Sequence, residues 1–254
     1  MPGLASQRTR EELSREGRLF FCSAIVRKES VSPVAVTRRA HSAELKNSLS
    51  GNCVPDRGQF NGEDDVFWRA MISVPNWVET AREQWAWRGQ VRPPFAVAPG
   101  AGQESVWDYP RPPTIALDQR EVVICWGEVE VARTRRALRV LETSHPPTFY
   151  LPWDDVARLL LEPASGASFC EWKGPARFWT LADGRRRMPG VAWSYPNPLP
   201  GAEALATSVA FYAGTLDCRI DGAAVRPQPG GFYGGWITPE LVGPFKGEPG
   251  SQHW

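Results

Sequence analysis

Residues 170–176, Cys-Glu-Trp-Lys-Gly-Pro-Ala, hold the densest set of reactive and chargeable groups in the 254-residue chain. On a strand, Glu171 and Lys173 share one face while Cys170 and Trp172 take the other, which sets a carboxylate and an ammonium beside a Gly174-Pro175 turn. Exposed to water, such a pair is a surface salt bridge worth about 0 to 1 kcal/mol. Enclosed by Tyr150, Trp193 and Tyr195, it becomes a polar anchor in an apolar pocket. Both readings stay open. A second candidate is His145, in Glu-Thr-Ser-His-Pro-Pro at residues 142–147. Neighbours in an extended segment point apart, so Ser144 and His145 are badly placed for proton transfer, and a turn residue capping the backbone is the plainer reading. The Pro-Pro pair still stiffens a polar loop that could border a cleft.

Other chemistries lack their residues. The five Cys (Cys22, Cys53, Cys125, Cys170, Cys218) contain no C-x-x-C pair, so zinc knuckles are not expected and no metal is predicted. Single Cys in strand-like stretches read as small apolar core residues. Neither a G-x-x-x-x-G-K-[ST] loop nor a G-x-G-x-x-G turn is present. Glu128 and Glu130 alternate on one strand face, but metal-assisted transfer calls for two or three converging carboxylates, and a solvated face explains the pair more simply. No cofactor is predicted. Arg133, Arg135, Arg136 and Arg139, with residues 185–187, form local basic clusters; with 29 Lys+Arg against 28 Asp+Glu the chain has no global field to gather nucleic acid.

The elements that must position these groups are mostly short strands. Residues 121–126 and 129–133 form a hairpin about Gly127-Glu128, residues 148–151 another strand, and residues 168–173 and 176–181 a pair joined by Gly174-Pro175. Asp183-Gly184 and Asp221-Gly222 mark turns, with strands at 209–212 and 216–220. Residues 152–161 predict an internal helix, with Pro near its first turn, Asp154 and Asp155 at its positive end and Val156, Leu159 and Leu160 on one face. Trp77, Ala81, Trp85 and Arg88 predict a flanking amphipathic helix over 76–89, ended by Gly89. Turns about every ten residues argue against parallel β/α units. The fold class expected is mainly β, from short antiparallel strands with one or two short helices.

All but one of the 12 Trp follow Asn76, whereas the first sixty residues are polar and rich in Ser and Arg. The expected organisation is therefore a disordered or irregular extension over 1–75, a flanking helix and Pro/Gly-rich connector over 76–102, and a mainly-β domain over 103–254. No run approaches the roughly 18 apolar residues of a spanning helix, and unpaired Cys suit a reducing compartment. A cytoplasmic protein without membrane or nucleic-acid partners is expected.

Several phrases fall in an order that resembles a known family: Glu104-Ser105-Val106-Trp107-Asp108-Tyr109-Pro110, Arg136-Ala137-Leu138-Arg139-Val140-Leu141-Glu142, Phe149-Tyr150-Leu151-Pro152, Cys170-Glu171-Trp172-Lys173-Gly174 and Trp193-Ser194-Tyr195-Pro196. From residue 85 to the end the chain is similar to the domain-of-unknown-function family 427. That resemblance implies a small domain of the Mss4-like, or β-tent, type, a shape that elsewhere holds zinc between cysteine pairs or a small ligand between aromatics. This chain lacks the zinc cysteines. Some members are labelled nucleotidyltransferase, and the family pattern places Arg139, Glu142, Tyr150, Lys173 and Tyr195 here without a catalytic role for any of them.

Three functions remain in view. The first is binding of a small organic ligand in an aromatic cleft, with Glu171 and Lys173 as anchors, Trp172, Trp193, Tyr195 and Tyr150 as walls, and Arg139 as a further contact. The second is a group-transfer enzyme, nucleotidyltransferase-like, that uses Lys173, Glu142 and His145 on a phosphorylated small molecule. The third is an interaction module that docks a protein through residues 230–254, where Phe232, Tyr233 and Trp236 lie between glycines.

Overall fold

Period-two alternation of apolar residues in the middle of the chain builds two sheets and fills both faces of the larger one. The computed structural model describes residues 24–25 and 74–254. The expectation of an irregular extension concerns residues that, apart from 24–25, lie outside the described ones up to residue 73. In chain order the strands are β1 (Ala24–Ile25), β2 (Glu104–Ser105), β3 (Thr114–Asp118), β4 (Val122–Trp126), β5 (Val129–Thr134) and β6 (Ala137–Leu141). There follow β7 (Thr148–Pro152), β8 (Leu161–Cys170), β9 (Gly174–Ala182), β10 (Arg187–Ser194) and β11 (Ser208–Phe211). The last are β12 (Asp217–Ile220), β13 (Ala223–Ala224), β14 (Arg226–Pro227), β15 (Trp236–Ile237) and β16 (Leu241–Val242). The single α-helix among the described residues, α1, is Trp77–Glu83. The protein is mainly β.

The eight-stranded sheet runs β1-β8-β9-β10-β11-β7-β6-β3, and a four-stranded sheet runs β13-β12-β4-β5. Neighbours in both are antiparallel; β16 pairs with β2 in parallel. On β7, Phe149 and Leu151 face one way and Tyr150 the other; on β11, Val209 and Phe211 oppose Ala210. The first set packs with Val122, Ile124, Val131 and Ile220 of the small sheet, closing a two-layer core around Trp236. The second set, with Trp193, Tyr195, Cys170 and Trp172, fills the opposite face. Each large side chain so buried contributes about 1.5 to 3 kcal/mol.

Two sequence expectations change. Residues 152–161 form no α-helix but two single 3-10 turns, Trp153–Asp155 and Arg158–Leu160. Val156 between them is extended and bridges Ala132, so a β-branched residue is drawn to the small sheet rather than to a helical face. The helix expected over 76–89 stops at Glu83, and Trp85 and Arg88 lie in the irregular segment beyond it. The hairpin at Gly127 (φ +62) and the turn at Asp221-Gly222 (φ +47 and +80) form as the sequence predicts. No helix of the described residues is long and apolar enough to cross a membrane.

Candidate functional site

Strand β8 runs on to Cys170, and Glu171-Trp172-Lys173 is the turn into β9 rather than the end of a strand. The turn needs glycine at its exit. Gly174 has φ +95, and a Cβ there would stand 3.1 Å from the Leu199 amide nitrogen, which donates a hydrogen bond to the Lys173 carbonyl. Glu171 and Lys173 therefore do not share a face, which corrects the reading of an adjacent ion pair. The Glu171 side chain is fully buried and accepts from Trp85 Nε1 at 3.0 Å, while Arg82 Nε donates to the Glu171 carbonyl. The end of α1 and the segment after it thus lock the turn from outside.

Lys173 finds its carboxylate across the sheet. Its Nζ donates to Glu142 Oε2 at 3.2 Å, and Arg111 Nη2 approaches Glu142 Oε1 at 3.4 Å while donating to the Thr143 carbonyl at 2.8 Å. Arg111 also lies over the Trp85 ring at 3.8 Å. Burial alone would raise the Glu142 carboxyl, but the Lys173 and Arg111 charges and the Lys173 hydrogen bond hold it at about 2. For Lys173, burial works against the charge, yet the Glu142 carboxylate outweighs it and keeps the ammonium well above its ordinary range. The triad carries two cations and one anion.

His145 adjoins this triad, and its tautomer follows from its neighbours. The Gly235 N–H donates to Gln228 Oε1, so Gln228 Nε2 is the donor that meets both the Lys246 carbonyl at 2.8 Å and His145 Nδ1 at 3.0 Å. Nδ1 accepts, which leaves the ring proton on Nε2, a buried atom without a hydrogen-bond partner among the described residues. Burial pushes this imidazole down to about 3, against the pull of Glu142, so it is neutral near neutral pH. Ser144, at φ +70, has a buried hydroxyl that bonds to nothing among the described residues, His145 included.

The aromatic candidates form a packed group. Trp193 Nε1 donates to the Tyr150 hydroxyl at 3.1 Å, Tyr150 and Tyr195 lie 6.2 Å apart by ring centroids, and Tyr212 sits against Trp193 at 4.5 Å. Burial pushes both the Tyr150 and Tyr195 hydroxyls up, so they stay protonated. A Cβ on Gly234 would overlap the Trp193 ring, so the glycine segment of residues 230–235 closes over it. Beside Trp172 and Lys173 opens a half-open cleft of about 120 Å³, lined otherwise by Arg82, Pro112, Pro113, Ile115, Val140 and the segment Pro200 to Leu205. Tyr150, Trp193 and Tyr195 lie behind this wall rather than in it.

Arg139 is elsewhere. Paired with Phe149 across β6 and β7, it faces away from Tyr150, and its guanidinium meets Glu104 at 2.7 Å and Asp118 at 3.7 Å. A separate, wider cleft of about 490 Å³ collects it with Arg120, Glu104, Asp118 and Glu240. Five other arginines of the basic runs are likewise matched: Arg133 and Arg135 to Glu121, Arg136 to Asp155, Arg186 to Asp183 and Arg187 to Glu162. Among the described residues no group of three His, Cys, Asp or Glu side chains is arranged to hold a metal ion.

The structure thus gathers Glu142, His145 and Lys173, and packs Tyr150, Trp172, Trp193 and Tyr195 beside them. Arg111, Arg82, Trp85 and Gln228 were missed. Arg111 lies in Tyr-Pro-Arg-Pro-Pro, where local pattern gives no hint of a carboxylate 31 residues on. The C-terminal segment is integral: Trp236 is fully buried, stacks on Phe149 and donates to the Phe211 carbonyl.

A search of curated proteins finds no match. Residues 114–222 match the family model NTP_transf_9, described as Domain of unknown function (DUF427). The match takes in β3 to β12, and with them Glu142, His145, Lys173 and the aromatic group, whereas Arg82, Trp85, Arg111 and Gln228 come from outside it. The segment from β3 to β12, which carries Glu142 and Lys173, is therefore similar to the DUF427 family, whose function is unknown.

Proposed function

We propose that this domain binds a small organic molecule in the cleft beside Trp172, with Lys173 as its polar anchor. The observation that carries this reading is the position of Lys173: an ammonium 15% exposed, set in a largely apolar wall and oriented from behind by Glu142. A few fixed polar groups in an apolar concavity are what small-ligand sites need. The packed Tyr150, Trp193 and Tyr195 support the wall, and Glu171 supports the turn through Trp85 rather than reaching a ligand.

Group transfer through the same residues has less in its favour. A general base needs a proton affinity near working pH. Glu142 is tied between two cations, His145 is a neutral ring with Nδ1 occupied, and the Lys173 amine is held protonated. These groups are suited to holding charge in place. The thiols of Cys125 and Cys218, in no disulfide among the described residues, fit a reducing compartment, and we assign the protein to the cytosol. The test is purification from native cells, followed by denaturation and mass spectrometry of the extract. A co-purifying small molecule that is lost on Ile115→Trp, which fills the cleft, is the expected result. A molecule retained by that variant would place binding elsewhere.

A further inference from the structure

Resting on that reading, we propose that the ligand is an organic monoanion: a small carboxylate with an aliphatic body, its carboxylate against Lys173 and Arg82. Charge is the first reason. The cleft wall contains two cations, Lys173 and Arg82, and no acidic side chain. Behind it the buried group Arg111, Glu142 and Lys173 has side-chain exposures of 0%, 7% and 15% and one carboxylate for two cations, while the buried Glu171 carboxylate meets Trp85 Nε1 and the Cys170 thiol. A surplus positive charge held out of water is costly unless an anion meets it. Arg82 adds to the surplus, because its Nε donates to a backbone carbonyl and no carboxylate among the described residues pairs with it; its guanidinium lies 5.1 Å from the Trp172 ring centre.

The second reason is contrast within the molecule. The cleft at Arg139 and Arg120 contains three carboxylates, Glu104, Asp118 and Glu240, that neutralise its arginines. The surplus belongs to the Lys173 cleft. The remaining wall there is aliphatic or proline, from Pro112, Pro113, Ile115, Val140 and Leu205, so most of a ligand's surface would meet carbon. Trp172, part of the same wall, carries a buried indole N–H that no acceptor among the described residues satisfies. Size sets the limit. A cavity of about 150 Å³ takes benzene, so this cleft of about 120 Å³ takes a body of five or six heavy atoms and leaves the polar head at the mouth. A phosphate monoester, with nearly two negative charges and more oxygens to satisfy, matches this wall less well than a carboxylate.

Isothermal titration with acetate, 3-methylbutanoate and benzoate, against 3-methylbutanamide and inorganic phosphate, tests the inference on the full chain. The 3-methylbutanoate should bind at least about tenfold more tightly than its amide, a difference of about 1.4 kcal/mol. Lys173→Met should remove that advantage, and Arg82→Gln, at a partly exposed site that should not unfold the protein, should weaken the acid several-fold while leaving the amide unchanged. Equal binding of acid and amide, both lost in Ile115→Trp, would keep the ligand-binding reading and overturn the carboxylate. Phosphate binding as tightly as the acids would overturn the aliphatic body. Absence of binding by every probe at millimolar concentration would overturn both.

Discussion

Glu142 holds together a polar group that could not be buried without it. Its carboxylate faces Arg111 at 3.4 Å and Lys173 at 3.2 Å. Replacing it with glutamine leaves two cations without their counter-ion, and loss of one partner in a buried ionic group costs about 3 to 5 kcal/mol. Urea denaturation of Glu142→Gln should show a loss of that order, whereas Glu130→Gln, at an exposed pair with Arg133, should change stability by less than about 1 kcal/mol. His145 gives a pH signature. Its folded value, about 3, lies below the ordinary 6.5, so the unfolded chain binds the proton more tightly. Stability is therefore full above pH 6.5 and falls as pH drops towards 3, with a limiting slope of about 1.4 kcal/mol per pH unit. Denaturation at a series of pH values should show this slope in the native protein and a shallower one in His145→Gln. The sequence made Glu142, His145 and Lys173 visible by residue type. It did not show that Lys173 pairs with Glu142 instead of Glu171, because that depends on where β8 ends.

The turn between β8 and β9 shows how an element transmits such a detail. Were Gly174-Pro175 the turn, Glu171 and Lys173 would lie on one strand face; with Glu171-Trp172-Lys173 as the turn, Lys173 swings across to β6 and Glu171 is sealed under Trp85. Gly174→Ala places a Cβ against the Leu199 amide at a positive φ, and the αL conformation alone costs about 1 to 2 kcal/mol. The variant should lower the melting temperature and weaken carboxylate binding together, measured by calorimetry and titration; a stability loss with unchanged affinity would separate the turn from the cleft. Strand existence was readable, since runs such as Val122–Trp126 and Val129–Thr134 alternate and flank a glycine turn. The helix expected over 152–161 was not realised because Val156 is worth more bridged to Ala132 than on a helical face. Helical spacing in α1 was read correctly as to type, but its extension through Trp85 was ended by the bonds that Trp85 and Arg82 make to Glu171.

At the scale of the whole molecule, the C-terminal segment completes the fold. Trp236 fills the core between the sheets, β16 pairs with β2, and Lys246 Nζ donates to the Ser251 carbonyl at 2.7 Å. A chain truncated before residue 230 should lose cooperative unfolding, because an exposed Trp cavity alone costs about 3 to 5 kcal/mol and the stability of a domain is of similar size; a truncated protein that melts cooperatively would show that the tail is an accessory. A docking tail was the third reading of this segment, since composition cannot tell whether an aromatic between glycines faces a core or a partner. Long-range assembly of this kind, with Arg111, Gln228 and Lys246 converging on the loop around His145 from distant parts of the chain, leaves no local trace in a sequence. The cleft depends on it. The most direct measurement is a methyl and indole NMR titration of the labelled protein with 3-methylbutanoate. Saturable shifts confined to the methyls of Ile115, Val140 and Leu205 and the indole N–H of Trp172 are predicted, and shifts centred on Leu117 in the Arg139 cleft, or none at saturation, would contradict a ligand site at Lys173.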